Sequence, residues 1–339
     1  MRCGSVSADS FKNPLIQLIH MVTLSHSFGF RIRPKRPFSF ELTVKKPAGW
    51  SLFSPFEIYE KGRLWTVTYL DGLLAGIVLS KKGTVENPEV LVRVFLENDQ
   101  GAARRRRINE LVTKAIGADQ ELGKFYAMAK KDSILKHVIG DLYGMHDTFS
   151  PMLFSDAVLA IMLQMAPLKR SNEMMASFIN NYGEVAAFDG KRIKAWPSPR
   201  KIARLTEAEL ARKCKVGYRS KNLVRLAKRL SEPGFPSAEE LEDMNVEKAK
   251  SFLMELPGIG DYSSDIINPH GGFPIDVWSA EVFGKLFFGK EPKNNRGAVE
   301  MVKAEGIRRW GVWSWMAFFY TVQDLESLSK KIGKRLRVT

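Results

Sequence analysis

Leu256-Pro257-Gly258-Ile259-Gly260-Asp261-Tyr262 is the stretch on which the reading of this chain turns. Val246 to Glu255 before it has the apolar spacing of a short helix, which Pro257 stops. Two glycines then permit a tight hairpin, and Asp261 to Ile267 starts a second helix. A hairpin of this kind exposes backbone N–H groups at a helix N-terminus, where the partial positive charge suits a phosphate. Glycine is required because a Cβ would hold the phosphate away from the backbone. By itself the stretch is also compatible with a plain helix–turn–helix corner.

Phe273-Pro274-Ile275-Asp276-Val277-Trp278 adds to it, because an acidic residue stands 14 positions after Tyr262, just before the helical run Ser279 to Phe288. A lone Asp there is most simply an N-cap. A cap position also holds a carboxylate rigidly and turns it outward, so the two roles are compatible.

Together these motifs resemble the helix-hairpin-helix, Gly/Pro-rich-loop, aspartate superfamily of DNA glycosylases, closest to its 3-methyladenine and 8-oxoguanine branches. Leu256 to Gly260 matches the hairpin, Gly271 to Pro274 the loop, and Asp276 the family aspartate. Upstream, Phe154 to Gln164 resembles the helix ending in a Gln-bearing minor-groove loop. Trp196-Pro197-Ser198-Pro199 and Gly217-Tyr218-Arg219-Ser220-Lys221 resemble the family's linker and its glycine-then-basic-helix segment. The likeness spans roughly residues 136–325. Two departures stand out. The segment between hairpin and Asp276 is shorter than in well-known members. Position 262 carries Tyr where bifunctional members carry the lysine that attacks the sugar.

The resemblance implies that Asp276 stabilises the positive sugar that forms as a flipped base departs. It implies DNA contacts through Leu256, Gly258, Ile259, Gly260 and Ser263 of the hairpin, and through Arg219 and Lys221. Gln164 and Met165 would fill the vacated base stack. Tyr262, with Trp278, Trp310 and Trp313, would line a base pocket suited to a cationic alkylated purine. The tryptophans are equally readable as core, since Arg309 to Tyr320 reads as one apolar helix. The expected activity is monofunctional base excision. The alternatives are an 8-oxoguanine-type glycosylase/lyase and a non-catalytic helix-hairpin-helix DNA-binding module. No cofactor is implied, apart from an optional structural monovalent cation at the hairpin.

Composition agrees with such a partner. Among 339 residues, 52 Lys+Arg against 37 Asp+Glu give a net charge of +15, which favours a polyanion. Two cysteines, Cys3 and Cys214, exclude a four-Cys zinc or iron–sulfur site and suit a reducing compartment: cytoplasm, or nucleoid or nucleus with DNA. No stretch reaches the roughly 20 apolar residues of a membrane span. A monomer acting on double-stranded DNA with a damaged base is expected.

The expected class is α+β: a small antiparallel β-sheet domain with helices, then an all-α glycosylase domain. The bounds read from the sequence are a poorly ordered leader over 1–35, the α+β domain over 36–135, the helical domain over 136–328 and a basic tail over 329–339. Phe40 to Val44, Leu64 to Leu70, Leu73 to Leu79 and Val90 to Phe95 read as strands, with Asp71-Gly72 as a turn. The run Arg104 to Arg107 reads as a solvated helix face.

Overall fold

The computed structural model describes residues 21–47, 54–166, 168–268, 270–290, 292 and 296–336. The chain runs β1 (Met21–Thr23), β2 (His26–Ile32), α1 (Phe40–Lys45), β3 (Ile58–Glu60), β4 (Arg63–Leu70), β5 (Leu73–Gly83), β6 (Pro88–Leu96), α2 (Ala102–Ala115) and α3 (Gly123–Ala129). Helices α4 (Leu153–Leu163) and α5 (Leu168–Tyr182) precede the hairpin β7 (Val185–Phe188) and β8 (Lys191–Lys194). The rest is helical: α6 (Pro199–Ala203), α7 (Glu207–Cys214), α8 (Arg219–Ser231), α9 (Ala238–Glu242), α10 (Val246–Met254) and α11 (Asp261–Ile267). Four more complete it: α12 (Val277–Phe288), α13 (Arg296–Trp310), α14 (Ser314–Gln323) and α15 (Leu325–Lys331).

Five strands form an antiparallel sheet in the order β2-β6-β5-β4-β3. Its centre reads as the β-branched alternation predicts: Val67, Ile77 and Val94 are fully buried, and Ile77 pairs with Val94 across β5 and β6. One face of the sheet packs on α2 through Ile108, Leu111 and Val112. The other face meets the β7–β8 hairpin, where Gly76 lies so close to Phe188 that a Cβ would fall 2.6 Å from the ring.

The helical part has two cores. One joins α4, α5 and α8 to α10 and α11, around Phe178, Ile161 and Leu223. The other gathers α3 and residues 134–145 with α12, α13 and α14, around Phe125, Phe283 and Tyr320. The hairpin and Asp276 lie where these lobes meet, because α11 belongs to the first and α12 to the second.

Several expectations are corrected. Phe40 to Val44 is not a strand: Ser39 caps it as helix α1, accepting from Leu42 N–H, and Phe40 and Val44 four residues apart share its buried face. The leader 1–35 is ordered from Met21, since β2 pairs with β6 along its whole length and β1 pairs in parallel with β7; residues 1–20 fall outside the described set. The boundary near 135 cuts through a core, because α3 packs with the C-terminal helices. The tail from 329 begins inside α15, and Leu336 is fully buried. Arg309 to Tyr320 is broken by the 3-10 turn Gly311–Trp313, with Gly311 at φ 51°. Among the described residues no helix is long and apolar enough to cross a membrane.

Candidate nucleic-acid interface and excision site

The hairpin forms as its glycines require. Gly258 has φ 85°, and a Cβ there would meet the Asn222 side chain at 2.8–3.0 Å. Ile259 N–H closes the turn on Leu256 C=O at 3.0 Å, and Gly260 caps α11 in an extended conformation. Leu256 and Ile259 are buried, so their side chains anchor the turn in the first helical core, and only their backbone is available to a ligand. Ser263 is buried as well. The first N–H groups of α11 have no intrahelical acceptor, as at any helix start.

Gln164 ends α4 and is turned toward this hairpin. Its Nε2 donates to Gly258 C=O at 2.7 Å and to Ser263 Oγ at 3.0 Å. Sequence reading placed Gln164 with Met165 in the vacated base stack; the structure separates them. Gln164 ties the α4 terminus to the hairpin, whereas Met165 stands out, 90% exposed, at φ 48°. Arg219 is likewise turned inward: buried, it donates from Nε to Ile161 C=O at 3.2 Å and from a terminal nitrogen to Gln164 C=O. It caps the end of α4 and presents no cation to a phosphate in this arrangement. Lys221, two residues on, is exposed and adjoins Asn222 beneath the hairpin. Tyr218, which the sequence reading passed over, is 65% exposed, with the Arg219 guanidinium 4.6 Å from its ring centroid. The signal was there in an aromatic next to a loop glycine.

Downstream, Gly271 has φ 68° and lies so close to Trp315 that a Cβ would fall 2.3–2.9 Å from that side chain. Phe273 is fully buried among Phe283, Phe287, Trp310 and Phe318. This pins the chain just before Asp276. Asp276 is the N-cap of α12 in a capping box: its Oδ1 accepts from Ser279 N–H at 2.8 Å and Ser279 Oγ at 2.7 Å, while its own N–H donates to Ser279 Oγ at 2.8 Å. Oδ2 has no hydrogen-bond partner among the described residues. The carboxylate is half-buried and lies near Tyr262; burial, and then the Asp276 charge, push the Tyr262 phenol well above its ordinary pKa. Val277 and Trp278 stand out from the first turn of α12 at 38% and 39% exposure.

The other two candidate pocket rings are core residues. Trp310 is 3% exposed, and its indole N–H is satisfied by Asp132 Oδ2 at 3.1 Å, so it offers no face to a ligand. Trp313 is half-buried against Phe125, with ring centroids 5.8 Å apart. A packed aromatic lobe and an aromatic base pocket share one composition, which is why sequence alone left both readings open.

Charge around the site is also sorted. Arg104, Arg105 and Arg107 pair with Asp71, Asp99 and Glu239. Asp261, an acid at the start of α11, is held by Lys250 and Lys303. Burial opposes its ionisation, but those two ammonium groups overcome the penalty and keep its carboxyl below the ordinary range. A structural monovalent cation at the hairpin would need outward carbonyl oxygens. Those of Leu256 and Gly258 accept from Ile259 N–H and Gln164 Nε2, and each keeps a second lone pair.

A cleft of about 810 Å³ opens between α2 and the helical lobes, with Phe149, Asp156, Ile266 and Trp315 on its walls. It reaches α11 at the end opposite Tyr262, and neither Tyr262 nor Asp276 lines it. The neighbourhood of Asp276 and Tyr262 is therefore separate from this cleft.

No protein-family model matches the chain. A DNA-3-methyladenine glycosylase of Bacillus subtilis is 27% identical over 205 residues, covering 58% of this chain and 67% of that protein. A probable N-glycosylase/DNA lyase of Methanothermobacter thermautotrophicus is 25% identical over 147 residues, 37% of this chain and 46% of its own length. Among solved structures, the 3-methyladenine DNA-glycosylase of Archaeoglobus fulgidus superimposes with a TM-score of 0.70 at 18% identity, covering 88% of this chain and 98% of that one. The Clostridium acetobutylicum 8-oxoguanine glycosylase/lyase does so with a TM-score of 0.66 at 16% identity, covering 87% and 95%. The chain shares its fold with these two DNA glycosylases over 87–88% of its length.

Proposed function

We propose that this chain is a base-excision DNA glycosylase. In this reading it extrudes a damaged, alkylated base and hydrolyses its N-glycosidic bond with Asp276, without a Schiff-base step. The observation that carries this reading is the state of the Asp276 carboxylate: one oxygen is fixed by the capping box and the other has no hydrogen-bond partner among the described residues, beside Tyr262 and downstream of a phosphate-type hairpin. Breaking an N-glycosidic bond builds positive charge on the sugar. A preorganised carboxylate stabilises that charge without reorganising and can orient the attacking water. Fixing Oδ1 on Ser279 leaves Oδ2 to face the sugar.

The hairpin backbone grips one strand, and Lys221 adds a point charge nearby. Met165 enters the gap the base leaves, offsetting part of the few kcal/mol that extrusion costs. A purine made cationic by alkylation is both a good leaving group and a partner for the faces of Tyr262 and Trp278.

The fold is shared with an 8-oxoguanine glycosylase/lyase, so an oxidised purine is the second reading. Tyr262 has no amine to form an imine with the sugar, and Lys250 and Lys303 are each engaged with two carboxylates. Release of free base from methylated, oxidised and deaminated duplexes, measured side by side with borohydride trapping, tests the proposal. Base release from methylated DNA without a trapped adduct is expected. A trapped covalent adduct, or release confined to oxidised DNA, overturns it.

A further inference from the structure

Asp261 and Asp265 stand one turn apart on α11, and two ammonium groups bridge them. Lys250 Nζ of α10 lies 2.6 Å from Asp261 Oδ1 and 2.7 Å from Asp265 Oδ1. Lys303 Nζ of α13 contacts the second oxygen of each acid. The four charges cancel, and they join the consecutive helices α10 and α11 to α13, 38–42 residues further on. The Asp265 side chain is only 4% exposed, so this carboxylate would be costly to bury without both partners.

Asp265 also touches the loop that leads to Asp276. Gly272 approaches so closely that a Cβ would fall 2.5 Å from Asp265 Cγ. Helix α13 holds the same loop a second time: at Gly306, three residues after Lys303, a Cβ would fall 2.1 Å from the Phe273 ring. The loop between hairpin helix and Asp276 therefore rests on Asp265 from below and on α13 from the side. An apolar residue would fill the Asp265 site with less desolvation cost, but it would not fix α10, α11 and α13 at one point.

We propose that Asp265 is a positioning residue for base excision, setting the Gly271–Pro274 loop, and with it the Asp276 carboxylate, in register with the strand-gripping hairpin. This rests on the excision reading above. Errors of about 1 Å in such a register cost on the order of 100-fold in rate.

The test uses the full chain and measures two quantities: single-turnover base release from methylated duplex, and affinity for a duplex carrying an uncleavable abasic-site analogue. Asp265→Asn keeps the volume but removes the charge that binds both lysines. The expected result is release slowed by about ten- to a hundred-fold with affinity for the abasic duplex unchanged, at a temperature where circular dichroism shows the variant folded. Gly272→Ala keeps all four charges and displaces the loop, so it is expected to give the same split should Asp265→Asn not accumulate. Combined with Asp265→Asn it should add little further loss, because both act on one contact. Lys303→Arg, which preserves the bridge, is expected to retain activity where Lys303→Met does not. Wild-type rates in Asp265→Asn overturn the positioning role alone. So does a fall in rate matched by an equal fall in affinity, or rate losses that multiply independently in the double variant. A wild-type protein that releases no base overturns the excision reading itself, and this role with it.

Discussion

Gln164 and Met165 are neighbours that the structure sets to different tasks, and one pair of variants separates them. Replacing Gln164 with Leu removes the hydrogen bonds to Gly258 C=O and Ser263 Oγ. At about 0.5–1.5 kcal/mol net for each bond, the loss is about 1–3 kcal/mol, or a melting temperature lower by roughly 1–4 °C for a chain of this size. The loss falls on the hairpin, so affinity for undamaged duplex drops with stability. Met165→Ala removes a side chain that is 90% exposed, so stability changes by no more than about 0.5 kcal/mol. Its cost appears only when the side chain fills a vacated stack: burying a Met is worth about 1.5–3 kcal/mol, or roughly 10- to 150-fold in excision from duplex. Single-stranded substrate has no stack to refill and should lose little. Thermal melts, undamaged-duplex affinity and single-turnover excision from single- and double-stranded substrates check both variants. Gln164→Leu melting and binding like wild type would refute the latch. Met165→Ala slowing both substrates equally would refute the wedge.

Gly258→Ala forces a side chain into a φ of 85° and against Asn222, so it should lose about 1–2 kcal/mol or more of stability and most binding to undamaged duplex, read by melting and gel shift. Asp261→Asn removes a negative charge beside the Gly258–Gly260 turn, and should tighten undamaged-duplex binding at low salt, with the gain fading as ionic strength rises. Asp156 is a half-buried acid in the α2 cleft with no cation paired to it among the described residues, and burial pushes its carboxyl up to about 7 from an ordinary 3.8. A raised acid keeps its proton in the fold but not in the unfolded chain, so stability falls as pH rises from about 4 to 7 and the full cost is present above 7. Asp156→Asn should therefore raise the melting temperature at pH 8 more than at pH 5, and an equal shift at both would contradict that environment.

Much of the site was legible because its chemistry is local. Gly258, Gly260, Pro257 and the α11 span follow from glycine conformational freedom and proline geometry within a few residues. Asp276 as a cap is visible one turn before Ser279, although the capping partner was not named. What sequence did not carry was orientation. Whether Arg219 points to a phosphate or back at the carbonyls of Ile161 and Gln164 depends on how α8 packs on α4. The ion square of Lys250, Asp261, Asp265 and Lys303 needs α13 brought beside α11, a contact 38–42 residues distant that no periodicity encodes. The misread strand at Phe40 to Val44 has a similar cause. Its apolar residues satisfy both a period of two and an i,i+4 pair, and the Ser39 cap and its packing against the sheet decide for helix.

The central claim is that a carboxylate steadied on its own helix and open on its other oxygen drives loss of the base. It is tested most directly by Asp276→Asn, which keeps the Ser279 capping geometry while removing the charge. Single-turnover release from methylated duplex should fall by on the order of 100-fold or more, while affinity for an abasic-analogue duplex stays near that of wild type. Base release at the wild-type rate by that variant would contradict the account.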